Sequence, residues 1–297
     1  MDPAPAPHRL GREDLVAALQ LAVLTLIVMP LAPDRDMGPY DALNPRRIWT
    51  FVVLLAAISF AGYVAVRLLG AHRGTAVTAA FGGLVSSTAV ALEFSRRSAQ
   101  SPELSRPLAA GVVLASTLMF PRVLVVAGAG CPDLVPRLAP CVGLTTAAGA
   151  VASVLLYRGT AGADPAGPVA LRNPLGLVSA LKFAAFIAFI GLASRAAAAA
   201  WGDAGLYAVA AVSGLADVDG LTVAVAGEAS RAVHAAGAAG DPPFLATAAR
   251  VLVVAMLANT VVKGALVAAL GSPEARRLTV RSMGAVLAAG AGALLIP

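Results

Sequence analysis

Long, nearly uncharged apolar runs dominate this sequence and constrain its fold more than any other feature. A helix crossing about 30 Å of hydrocarbon needs roughly 20 mostly apolar residues. That ruler picks out Leu15–Leu31, Ile48–Leu69, Thr75–Phe94, Pro107–Val126 and Leu138–Tyr157 in the first half. In the second half it picks out Leu175–Ala193, Gly205–Val225, Phe244–Leu270 and Leu278–Ile296. The expectation is an all-α polytopic membrane protein with about nine transmembrane helices. Composition excludes the soluble alternative. Only 13% of residues are charged and 59% are hydrophobic, whereas a soluble domain carries about 25% charged residues to cover its surface.

The formal charge is +6, but the arginines stand singly or in pairs in short loops, as at Arg46-Arg47, Arg96-Arg97 and Arg276-Arg277. That placement suits anchoring to lipid headgroups. The bilayer is therefore an expected partner and nucleic acid is not. Arg and Lys divide almost evenly between alternate loops, so the positive-inside rule assigns no orientation. Cys131 and Cys141 are too few for a disulfide framework or a metal site. Residues 1–14 read as a polar, Pro-rich tail, and the run after it lacks a small-residue cleavage signal, so a retained helix is expected.

An internal repeat organises the rest. Asn44-Pro45 precedes the second run and Asn173-Pro174 the sixth; Gly74 opens the third and Gly205 the seventh. GGLVSSTAVAL (82–92) then aligns with SGLADVDGLTV (213–223), and Arg122 corresponds to Lys263 at a slightly larger offset. The expected organisation is a tail (1–14), a first helix and loop (15–42), a four-helix repeat (43–157), a Gly/Pro-rich linker (158–172) and a second four-helix repeat (173–297). An even number of helices returns the chain to its starting side, so the repeats are read as parallel.

Ionisable groups inside hydrocarbon cost at least a few kcal/mol and tend to face a cavity or a partner. Asp217 and Asp219, in GLADVDG, lie near the middle of the seventh run. Two residues apart on an unbroken helix, they would point about 200° from each other. Gly214 and Gly220 bracket them and permit local unwinding, which would aim both carboxylates into one cavity as substrate or metal ligands. Separate structural pairing of each acid with a basic residue is the other reading. Ser86, Ser87 and Thr88 hold the equivalent place in the first repeat, either as substrate ligands or bonded to their own helix. Asn259 and Lys263, spaced i,i+4, share one helix face. Asn259 is a candidate oxygen ligand; Lys263 is either a counter-ion to the acids or snorkels to the interface. No nucleotide-binding lysine loop, paired histidines or nucleophile elbow occurs, so no enzyme is expected and no bound cofactor.

The segments VMPLAPDRDMGPYDALNPRRIW, ISFAGYVAVRLLGAHRG, GGLVSSTAVALEFSRRS, MFPRVLV, NPLGLVSALKF, GLADVDGLTVAVA and ANTVVKGALVAALG together resemble the C-terminal multi-helix membrane domain of unknown function found in bacterial MgtC/SapB-family proteins. The resemblance covers nearly the whole chain and implies a multi-pass protein of the bacterial inner membrane. Longer relatives carry an MgtC-like region linked to magnesium homeostasis. None of the quoted residues belongs to that region, so the magnesium association reaches this chain through fusion only. Pro121 in MFPR departs from the family pattern and predicts a kink in the fourth helix.

The functional expectation is a secondary transporter or channel-like carrier for a small cation or a solute coupled to one. Asp217 and Asp219 would supply the negative field, Asn259, Ser86, Ser87 and Thr88 the neutral ligands, and Lys263 a movable counter-charge. Magnesium is the first ion to test, because oxygen ligands suit a hard cation. The alternative is a regulatory or scaffold protein that binds a membrane partner, or its own copies, and moves nothing.

Overall fold

The computed structural model describes residues 12–69, 75–158, 177–237 and 242–294. The polar tail up to residue 11, Gly74, the linker 159–172 and Asn173-Pro174 lie outside the described residues. What is described is helical, and no strand occurs among the described residues; one isolated bridge joins Met37 to Leu43.

The first helix, α1 (Arg12–Val23), runs on through a π-turn (Leu24–Val28) and a last helical turn (Met29–Leu31). Then come α2 (Pro45–Leu69), α3 (Thr75–Gln100), α4 (Ser105–Thr117), α5 (Met119–Gly130) and α6 (Val135–Arg158). The second half holds α7 (Leu177–Ala216), α8 (Asp219–Ala236), α9 (Phe244–Leu270) and α10 (Pro273–Leu294). Asn44 opens α2 as the sequence leads one to expect, its Oδ1 accepting the Arg47 N–H at 3.1 Å with Pro45 in the first turn.

Six helical segments are long and apolar enough to cross a membrane, Pro45–Ala65, Thr75–Gln100, Pro102–Gly130, Pro132–Arg158, Leu177–Ala216 and Phe244–Leu270, with Leu15–Leu31 a shorter apolar helix. Large apolar side chains on their outer faces, such as Leu155, Val178, Phe189 and Val212, have no protein cover. Exposed apolar side chains on this scale fit hydrocarbon and not water. The chain is thus a multi-pass membrane protein. Six is fewer than the nine runs expected, for identifiable reasons. Charges at Asp219, Glu228 and Arg231 interrupt α8. Glu274, Arg276, Arg277 and Arg281 crowd the first half of α10. The 40-residue α7 contains the expected sixth helix and the start of the seventh.

Four backbone irregularities shape the bundle. At Gly202 φ is +59° and ψ −142°, a conformation that other residues rarely adopt, and it folds α7 so sharply that Gly205 lies against the Ala197 carbonyl. In α3, Ser86 is extended (φ −163°, ψ 103°), splitting the helix into 75–85 and 87–100. Asp217 and Val218 separate α7 from α8. Leu118 separates α4 from α5. Leu118 keeps helical torsions (φ −66°, ψ −15°) and its N–H bonds the Leu114 carbonyl at 3.1 Å, so the interruption three residues ahead of Pro121, where the ring crowds the preceding turn and withholds an N–H, is slight.

The largest buried cluster joins α5 to α9 around Phe120, Leu138, Leu221, Leu252 and Met256. A second joins α3, α4 and α10 around Phe94 and Leu108, and a third joins α1, α2 and α7 around Leu24, Phe51 and Ile187. The loop between α1 and α2 is strapped to α7 and α8 by polar contacts. Asp36 accepts from Asn44 at 3.0 Å and from Arg231 at 3.3 Å, and Arg195 pairs with Glu228 and reaches the Tyr40 carbonyl. Burial acts to raise the Asp36 carboxyl, but the Asn44 hydrogen bond and the Arg231 charge outweigh it and hold the group below the usual carboxylate range. A depressed carboxylate contributes its stabilisation at neutral pH and loses it as pH falls through that lowered value.

Candidate functional site

Breaking a helix inside a membrane frees backbone groups that hydrocarbon cannot satisfy. The groups freed at Ser86 and at Asp217 find their partners in matching ways. Ser86 Oγ accepts the Ala89 N–H at 3.2 Å, and Asp217 Oδ2 accepts the Gly220 N–H at 3.1 Å. Each side chain therefore caps the half-helix that follows it. On the other side of each break, a carbonyl is taken by a neighbouring helix. Arg122 of α5 donates to the Leu84 carbonyl at 3.1 Å, and Asn259 of α9 donates to the Gly214 carbonyl at 2.8 Å.

The two breaks face one cavity of about 320 Å³. Ser86, Ser87, Thr88, Asp217, Asp219 and Asn259 all line it. Of the residues singled out from sequence, only Lys263 stays outside the lining. It is wholly buried, so it does not snorkel, and its Nζ donates to the Met119 sulfur at 3.3 Å. Met119 lines the cavity, so it stands between the ammonium and that space.

The direct counter-ion role falls to Arg122, which the sequence offers beside Lys263 as a basic partner for the acids. Its guanidinium pairs with Asp219 while holding the Leu84 carbonyl in the other broken helix. One planar side chain thus clasps both breaks, as the fork of donors on arginine allows and an ammonium would not. Both partners are mostly buried, with side chains 13% and 12% exposed. Arg122 Nε has no partner among the described residues. No ion pair joins Asp217 to a described residue, since its contacts are the cap bond to Gly220 and the backbone bond from its own N–H to Ser213.

The walls differ in character. The side built by α3, α5, α8 and α9 carries the charged groups and most of the polar ones, the Ser59 and Ser179 hydroxyls being the exceptions. The opposite side, from α1, α2 and α7, is mostly apolar, with Leu24, Val52, Leu55, Ala56, Ala180 and Phe183. Phe183 stacks on Phe186, ring centroids 6.4 Å apart, and Phe186 packs against Gly220 at the start of α8. As for metal, among the described residues no group of three or more His, Cys, Asp or Glu side chains converges. Asp217 and Asp219 face the cavity as a pair in which one member is already held by Arg122.

Lys263 offers a sharp check on this arrangement. Lys263 is a buried ammonium whose hydrogen-bond acceptor is a thioether, with Asp219 and Asp217 attracting it only at longer range, so little offsets its lost hydration. Replacing it by an apolar group of similar length is expected to be neutral or stabilising. Lys263→Met should match or exceed the parent in thermal unfolding in detergent. A loss of more than about 2 kcal/mol would mean that Lys263 makes an ion pair in the folded protein.

No solved structure matches the chain. An uncharacterized protein of Aquifex aeolicus (strain VF5) is 28% identical over 163 residues, covering 52% of this chain and 69% of that protein. The family described as a domain of unknown function, DUF4010, matches residues 53–271, more than half of the sequence. The chain belongs to that family.

Proposed function

We propose that the protein is a secondary carrier for a small cation, binding it at the centre of the bundle between two broken helices. The observation that carries this reading is the convergence of the Ser86 and Asp217 breaks on one polar cavity inside a membrane protein. Discontinuous helices are costly in lipid and recur where a transporter holds its substrate, since half-helix ends present polar groups and charge at mid-membrane depth. The matched capping bonds and the matched carbonyl acceptors support two repeats of four helices with α1 outside them. On this reading all nine apolar runs cross the bacterial inner membrane, and one repeat rocks against the other. The role is transport, with no covalent chemistry.

Magnesium belongs in the first panel of ions through the likeness to the domain that accompanies MgtC-like regions. The arrangement asks more of magnesium than of a monovalent ion. Magnesium demands an octahedral oxygen shell at about 2.0–2.1 Å, and one of the two carboxylates is engaged by Arg122. A non-transporting regulatory protein is the second reading. The internal ion pair at Asp219 favours it; the open volume beside Asp217 favours the carrier.

The test is flux into proteoliposomes for sodium, potassium, magnesium and methylammonium, comparing the parent with Asp217→Asn. Asparagine caps a helix about as well as aspartate, so the fold is kept while the charge is lost. We expect flux of at least one of these cations, falling by at least about tenfold in the variant. Equal flux in both proteins, or none for the whole panel, overturns the carrier reading.

A further inference from the structure

We infer that the substrate is a small organic monocation, an alkylammonium-type molecule, whose charged end meets Asp217 and whose hydrocarbon lies on the apolar wall. The inference rests on the carrier reading above and adds the substrate class. Two carboxylates against one guanidinium among the lining residues leave one negative charge in excess. Arg122 pairs with Asp219, and Lys263, buried behind Met119, acts on both acids through space alone, so Asp217 is the lining carboxylate left without a direct ion pair among the described residues. A single lining carboxylate without a direct partner matches one positive charge.

Size and wall chemistry narrow the class further. A bare metal ion is held by a close cage of oxygens, whereas a cavity of about 320 Å³ lies at the lower end of the range, roughly 300–1,000 Å³, that holds small organic ligands. The wall from α1, α2 and α7 offers a bare ion only the Ser59 and Ser179 hydroxyls. Leu24, Leu55, Ala180 and Phe183 present hydrocarbon and an aromatic ring opposite the carboxylate. An alkylammonium is complementary to both walls at once, because its chain removes apolar surface from water while its ammonium makes a charge-assisted hydrogen bond. The Phe183 ring adds an attractive face for a cation.

The experiment is thermal unfolding of the full chain in detergent with chlorides of n-butylammonium, methylammonium, sodium, potassium and magnesium at equal ionic strength. n-Butanol serves as the uncharged control. We expect a saturable rise in Tm with butylammonium, at a lower concentration than methylammonium requires, and none with butanol. Its apparent affinity should drop by at least about tenfold in Asp217→Asn, as loss of a charge-assisted contact implies. Phe183→Ala should weaken butylammonium several-fold and leave methylammonium nearly unchanged. Stabilisation by butanol equal to that by butylammonium overturns the inference, as does insensitivity to Phe183→Ala. Asp217-dependent stabilisation by magnesium, sodium or potassium without butylammonium also overturns it, and leaves the central cation site standing. No Asp217-dependent stabilisation by any of the five cations removes the site and the substrate class together.

Discussion

Removing the guanidinium with Arg122→Leu should destabilise the protein by about 3–5 kcal/mol, the cost typical of breaking a buried ion pair from one side. The carboxylate of Asp219 would then sit mostly buried beside no cation, and the Leu84 carbonyl would lose its donor. The cost comes from the orphaned charge more than from the lost attraction, and a second substitution separates the two. In Arg122→Leu/Asp219→Leu no charge is left behind, so the double variant should be more stable than Arg122→Leu alone. A coupling of roughly 2 kcal/mol or more is expected, within the range for residues in direct contact. Unfolding by detergent titration of the four proteins gives the cycle. Additive losses, or a cost below about 1 kcal/mol for Arg122→Leu, would mean that the pair is not formed in the folded protein. Arg122→Lys should rescue only part of the loss, because one ammonium cannot reach Asp219 and the Leu84 carbonyl with the geometry of a planar fork.

How much of this was legible in the residues depends on whether the signal is local. Apolar run length is local, and five of the six stretches long and apolar enough to cross a membrane begin and end within six residues of the expected runs, Leu177–Ala216 being the exception. Helix breaks are also local when glycine and capping side chains cluster. Asp217 between Gly214 and Gly220 marked the gap before α8, whereas Ser86 stood out only as a hydroxyl at the aligned position, with no break in α3 expected from it. What no local signal carries is the rotation of one helix against another. Asn259 and Lys263 share a face of α9, yet Asn259 reaches the α7 carbonyl at Gly214 while Lys263 ends against Met119. A turn of helix between them decides which one sees the cavity. For the same reason nothing local favours Arg122 over Lys263 as the partner of the acids. The position of Arg122, four residues past Leu118, becomes meaningful only when the two breaks face each other. The expected count of nine crossings met charge as a competing signal, since α8 and α10 carry ionisable residues that run length alone overlooks.

The second large effect should come from Gly214→Ala, a change that adds a single methyl group. A Cβ at Gly214 would lie 2.5 Å from the Ala255 carbonyl oxygen and 2.9 Å from its Cα. Those are backbone atoms and cannot step aside as a flexible side-chain end would. Relief requires α7 and α9 to separate, and the separation would also stretch the Asn259 bond to the Gly214 carbonyl. Overpacking of this kind costs about 1–3 kcal/mol, and Gly214→Leu should prevent a folded bundle altogether. Gly83, its counterpart in the aligned segment, meets the Ala115 Cα at 2.8 Å across the α3–α4 contact, so Gly83→Ala is expected to show a parallel loss. Gly227 in α8 is the control, because nothing lies within 4 Å of its added Cβ. There alanine removes the backbone-entropy penalty of glycine and should stabilise by up to about 1 kcal/mol. Thermal unfolding of the three alanine variants side by side should therefore give two losses and one gain. Equal behaviour at Gly214 and Gly227 would show that α7 and α9 do not approach closely enough to hold the Asp217 break against Asn259.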